Sequence, residues 1–129
     1  MAIPATDSTF DVAQWFVERA RFENGYLQAQ KLQRMLWLAQ GHYAATYHGR
    51  KLMPATFVAM VLGPQEPNIY RAYELGRPEL ADVEPAPEIV DFLDRLWGRF
   101  GHHSTDHLNR MVRGPDGREW KKWSPRVVK

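Results

Sequence analysis

The stretch Lys31-Leu32-Gln33-Arg34-Met35-Leu36-Trp37-Leu38-Ala39-Gln40-Gly41 decides the fold. Leu32, Met35, Leu36, Ala39 and Tyr43 recur at the three- and four-residue spacing of one helical face. Trp37, Leu38, Ala44 and Ala45 fill much of the remaining circumference, which confines polarity to a narrow strip. A helix that is apolar on most sides is surrounded by its own protein. The pattern therefore predicts a central helix over about 28–47, closed by His48-Gly49. Gly41 in its interior costs about 1 kcal/mol relative to Ala, and close approach of another backbone is the expected compensation.

Working outward toward the N-terminus, Ser8 with Asp11 three residues on forms a loose capping box. Val12, Ala13, Phe16, Val17 and Ala20 follow at helical spacing, leaving Glu18, Arg19 and Arg21 for water. Asn24-Gly25 should end this helix, with Gly25 in the left-handed conformation. Toward the C-terminus, Leu52–Leu62 is a β-favouring run bounded by Pro54 and Gly63-Pro64. It reads as a strand, one half of a small hairpin, although periodicity alone does not separate it from a buried helical turn. Pro67 opens a short helix through Ile69, Tyr70 and Tyr73 that Gly76 ends. Residues 77–87 form a proline-rich acidic loop. Ile89, Phe92, Leu93, Leu96, Trp97 and Phe100 then make the cleanest amphipathic face of the chain, stopped by Gly101. Ser104 caps a last helix with Leu108, Met111 and Val112, and Gly114-Pro115-Asp116-Gly117 turns into the tail.

The expected architecture is mainly α: a compact single domain over 1–129 with about five or six helices around the helix at about 28–47. A short β-hairpin or strand lies near 52–62, the core runs over about 8–123, and a basic tail spans 118–129. A chain of 129 residues is one ordinary domain, and 44% apolar with 25% charged residues is the composition of a globular protein. No run reaches the length of a membrane span, and the opening Met1-Ala2-Ile3-Pro4 has no signal-peptide character, so a cytoplasmic location without membrane partners is expected. The absence of cysteine excludes disulfides, thiolate metal sites and cysteine nucleophiles.

A net charge of +2 conceals a division, because residues 74–94 carry seven acids against Arg77 alone. Residues 95–129 carry nine bases and three acids. Such asymmetry either steers a charged partner or forms two solvated, mutually compensating faces.

No motif in this sequence supports catalysis. Ser8, Ser104 and Ser124 are the only serines, and none lies in a Gly-x-Ser-x-Gly setting. Asp91 and Asp94 sit on a solvated helix face, and no glycine-rich phosphate loop is present. His103 and His107 share a helical face, but without a third ligand residue they read as helix-start polar residues. The expectation is a protein that is not an enzyme and carries no cofactor or metal. In the tail, Arg118, Lys121, Lys122, Arg126 and Lys129 interleave with Trp120 and Trp123. That composition suits phosphate contacts with stacking platforms, protein binding, or a Trp120 that folds back as an anchor.

Taken with Leu62-Gly63-Pro64, the central stretch resembles the Panacea antitoxin domain, also described as SocA-like or GepA-like. That family has a Lys-Leu-Gln-Lys-Leu-Leu-Tyr-like helix running into Ala-Gln-Gly, matched here by Lys31–Trp37 and Ala39-Gln40-Gly41. Its Gly-x-Pro-Leu-like turn is partly matched by Gly49-Arg50-Lys51-Leu52. Its Tyr-Gly-Pro strand end is met by Leu62-Gly63-Pro64, its tyrosine-rich helix by Tyr70 and Tyr73, and its terminal Trp by Trp120. The chain departs from the family at Met60 and His42, where Trp is common, and at Leu62, where Tyr is usual.

The resemblance spans roughly residues 9–123. It implies neutralisation of a cognate protein toxin by direct binding, and in SocA-like members delivery of that toxin to the ClpXP protease. Lys31, Leu32, Ala39, Gly41, Gly63 and Pro64 are then structural, while Gln33, Gln40, His42, Tyr70, Trp120 and Trp123 are the expected partner-binding residues. The alternative is a nucleic-acid-binding regulator that uses the basic tail.

Overall fold

Helix α1 spans Thr9–Phe22 and helix α2 spans Ala29–Thr46, in a computed structural model that describes residues 3–60, 63–75 and 84–113. Ser8 caps α1, its hydroxyl accepting the Phe10 N–H at 3.1 Å, while the Asp11 N–H turns to the Ser8 carbonyl. The predicted stripe Val12, Ala13, Phe16, Val17 and Ala20 is buried. At the C-terminal end the left-handed residue is Asn24, with φ of 62°, and not Gly25. The Gly25 N–H reaches back to the Ala20 carbonyl at 2.8 Å and the Asn24 N–H to that of Arg21 at 2.9 Å, a Schellman closure. A Cβ on Gly25 would stand 3.3 Å from the Ala20 oxygen, so glycine serves close approach here and asparagine supplies the turn.

Helix α2 packs against α1, against β2 (Gly63–Gln65) and against α3 (Pro67–Glu74), α4 (Pro87–Phe100) and α5 (Thr105–Arg113). It is the central helix that its apolar pattern predicts. Leu32 through Ala39 are all buried, including Gln33 and Arg34, whereas Ala44 is half-buried and Ala45 exposed. Enclosure is thus complete over the middle turns and opens at the last one. His48 and Gly49 both take positive φ, and the Gly49 N–H closes on the Ala44 carbonyl at 2.7 Å.

The strand expected near 52–62 is shorter than its β-favouring run. Antiparallel pairing joins β1 (Val58–Met60) to β2, with Val58 opposite Gln65, Ala59 opposite Pro64 and Met60 opposite Gly63. Leu52 and Met53 are fully buried without strand partners. Their N–H groups both donate to Gln40 Oε1 at 3.0 Å, and the Leu52 carbonyl accepts from the Thr6 N–H and hydroxyl. Side-chain and N-terminal backbone groups replace a ladder there. Pro64 lacks a donor, so its place opposite Ala59 fits a non-hydrogen-bonded pair, and its outward carbonyl accepts from Arg34 at 2.7 Å.

Pro67 occupies the first turn of α3, and the Glu66 carboxylate caps it by accepting from Asn68 and Ile69 N–H groups. Helix α4 starts at Pro87 as read from the sequence, and buries all six residues of its predicted face. Gly101 caps it in an ordinary right-handed conformation, and its glycine is needed because a Cβ would collide with the Trp97 ring. Ser104 caps α5, its hydroxyl accepting from the His107 N–H. The expected Gly76 stop, the loop over 77–83, the turn over 114–117 and the tail lie outside the described residues. Among the described residues no helix is long and apolar enough to cross a membrane.

Candidate functional site

The predicted partner-binding residues do not form one patch. Gln33 is 2% exposed and lines the base of the same groove that Tyr70 borders. Its amide clamps Glu66, with Nε2 donating to the Glu66 carbonyl at 3.1 Å and Oε1 accepting the Glu66 N–H at 2.7 Å. Gln40 performs the same work about two turns on, binding the Leu52 and Met53 N–H groups through Oε1 and the Met53 carbonyl through Nε2. Both glutamines therefore hold irregular backbone against α2. An unpaired buried backbone group costs about as much as a lost hydrogen bond, so chain without a ladder needs such side chains.

His42 is half-buried, its ring 5.2 Å from Phe100. Burial, and after it the Arg99 guanidinium, hold its imidazole below the ordinary histidine range. It lines a small cavity of about 210 Å³ with Trp37, Arg99 and Met111. Tyr70 lies elsewhere. It is 41% exposed and borders an open groove of about 380 Å³ between the first turns of α2 and helix α3. Ala29, Gln30, Ile69 and Tyr73 also line that groove. From Gln30 to His42 the helical rise amounts to roughly 18 Å, so Tyr70 and His42 address different ends of α2. Trp120 and Trp123 lie outside the described residues.

The residues read as structural differ in burial and in contacts. Leu32 and Ala39 are fully buried and Gly41 is half-buried. Lys31 Nζ donates to the Gly101 carbonyl at 2.6 Å, tying α2 to the end of α4, and burial holds its ammonium below the ordinary lysine range despite nearby Glu23. Gly63, with φ of 124°, passes directly over the guanidinium of Arg34.

Arg34 itself escapes a pattern-based reading. It is wholly buried, with Nε donating to Asn109 Oδ1 at 2.6 Å and Nη1 to the Pro64 carbonyl. One planar fork thereby joins α2 to β2 and α5. Sequence spacing places Arg34 on the polar strip. Nothing local announces that its partners stand 30 and 75 residues away.

A second cluster joins α1 to the α4–α5 turn. The Glu23 carboxylate accepts from Trp97 Nε1 at 3.2 Å and pairs with His102 Nε2 at 2.9 Å. The His102 contact first, and the indole after it, hold this carboxyl below its ordinary range. His103 and His107 stack with ring centroids 4.3 Å apart. Among the described residues no group of three or more potential ligands is placed to hold a metal ion.

Exposed apolar and aromatic side chains include Tyr70 over its groove, Leu75 at 83% and, on α1, Phe22 at 84% exposure. The α1 face was missed at the level of sequence, although Trp15 and Phe22 fall off the buried stripe. Compared with known proteins, the chain matches no family model, no curated protein and no solved structure.

Proposed function

We propose that this protein is an antitoxin that neutralises a cognate protein toxin by direct binding. The observation that carries the reading is the groove between α2 and α3. It is lined by Ile69, Tyr70 and Tyr73, it stays open at about 380 Å³, and it sits on backbone that Gln33 and Glu66 hold rigid. Interface hot spots are enriched in tyrosine and tryptophan and gain from a rigid base. A toxin side chain seated under Tyr70 would be fixed without reordering the antitoxin. The resemblance of Lys31–Gly41 and Leu62–Pro64 to the Panacea domain supports the same reading.

The test is co-expression of the neighbouring open reading frame with and without this protein. The neighbour should arrest growth alone and be tolerated with the antitoxin. A harmless neighbour sinks the proposal. A subordinate step, delivery of the bound toxin to ClpXP, predicts a longer toxin half-life when either the protease or this protein is removed. An unchanged half-life leaves occlusion as the whole mechanism.

A further inference from the structure

Sharing no lining residue with the tyrosine groove, α1 and the start of α4 border a trough that the antitoxin reading does not use. Its larger part, about 580 Å³, is lined by Trp15, Phe22, Arg19 and the carboxylates Asp11, Glu18 and Glu84. It runs on into a second part of about 380 Å³ that shares Arg19, Glu84 and Pro85 and adds Asp91 and Asp94. Five carboxylates therefore face one guanidinium. That guanidinium is already engaged, paired with Asp94 and stacked 4.7 Å over the Trp15 ring. Burial first, and the neighbouring Asp7 after it, work against ionisation of Asp11, while Glu18 is paired with Arg21 at 3.0 Å. Within this acidic frame, Phe22 stands 84% exposed beside the half-buried Trp15.

We infer that this trough docks a basic amphipathic segment of a separate protein partner. The occupant is fixed by charge and shape together. Lysine or arginine side chains meet Glu18, Glu84 and Asp91, and an apolar side chain between them covers Phe22 and Trp15. Aromatic surface at the centre with complementary charge around it is the arrangement of a specific interface, and it raises association rates with oppositely charged partners. Glu84, Asp91 and Asp94 of the acidic block thereby gain a role beyond meeting water. The surface is independent of the tyrosine groove, so it stands or falls separately from the antitoxin reading.

The probe is a helical peptide with lysine and arginine on one face and leucine on the other, paired with a counterpart whose bases are glutamate. Titration into the full chain, followed by backbone amide shifts and calorimetry, should perturb α1 and the start of α4. Binding of the basic peptide should weaken steeply with salt. The triple change Glu18→Gln, Glu84→Gln, Asp91→Asn should weaken it about ten-fold, and Phe22→Ala about five-fold. These side chains are exposed, so unchanged melting temperatures would show the variants folded. Equal binding of the glutamate peptide, or indifference to Phe22→Ala, would overturn the proposal. So would salt-sensitive self-association abolished by the triple change, since the occupant would then be a second copy.

Discussion

Helix α2 and the outer faces of α1 and α3 invert the usual assignment of polarity. In α2, Gln33 and Arg34 are polar and sealed inside, each occupied with distant backbone or side-chain partners. On α1 and α3, Phe22 and Tyr70 are aromatic and face outward. Among the described residues no buried side-chain nitrogen or oxygen lacks a hydrogen-bond partner. The interior polar groups therefore serve the fold, and the exterior aromatic groups are left for recognition. Burying polar groups costs free energy unless they are paired, whereas an exposed aromatic residue gains nothing until something covers it.

The sharpest way to break this contrast is Arg34→Ala. It strips the Pro64 carbonyl and the Asn109 side chain of their donor, and should destabilise the chain by about 3 kcal/mol in denaturant unfolding. Arg34→Lys should recover only part, because an ammonium cannot reproduce the fork. Gln33→Ala comes next, at about 2 kcal/mol, since it leaves the Glu66 N–H unpaired in the interior and takes one of two donors from the Glu66 carbonyl, which keeps the Tyr70 N–H. Tyr70→Ala should shift stability by no more than about 0.5 kcal/mol while weakening partner binding about ten-fold. An equal loss of stability from Tyr70→Ala and Gln33→Ala would erase the distinction.

Acid supplies the smallest effect and concerns the ends of α1 and α2. The folded chain holds His42 and Glu23 below their ordinary values of 6.5 and 4.5, so the unfolded chain binds more protons as pH falls past each. The stability they supply is present in full above those ordinary values and is lost as pH drops through the lowered ones. Melting temperature should therefore decline slightly below pH 6.5 and again below 4.5. His42→Gln should flatten the first decline and Glu23→Gln the second.

The helices were legible because each carries its own spacing, cap and stop. Ser8, Pro67, Pro87 and Ser104 open helices where their chemistry says they should. The segment from Leu52 to Phe57 was not legible as an irregular, buried connection. Its apolar content imitates a strand, and the groups that satisfy its backbone belong to Thr6 and Gln40. The same physics hid the candidate site. A polar strip on a helix looks solvated until its partner is known, and the partner of Gln33 is Glu66, reached only after the hairpin has returned the chain to α2. Tyr70 was named through the resemblance to a tyrosine-rich helix and not through its spacing, and the short α3 leaves it exposed.

The central claim is that exposed aromatic surface, set on a clamped interior, binds a cognate toxin. It is tested most directly by growth rescue with the neighbouring open reading frame expressed beside wild-type protein or Tyr70→Ala, each at verified equal level and melting temperature. The account predicts arrest by the neighbour alone, rescue by the wild type, and weakened or lost rescue by Tyr70→Ala. A harmless neighbour, or full rescue by Tyr70→Ala, would contradict it.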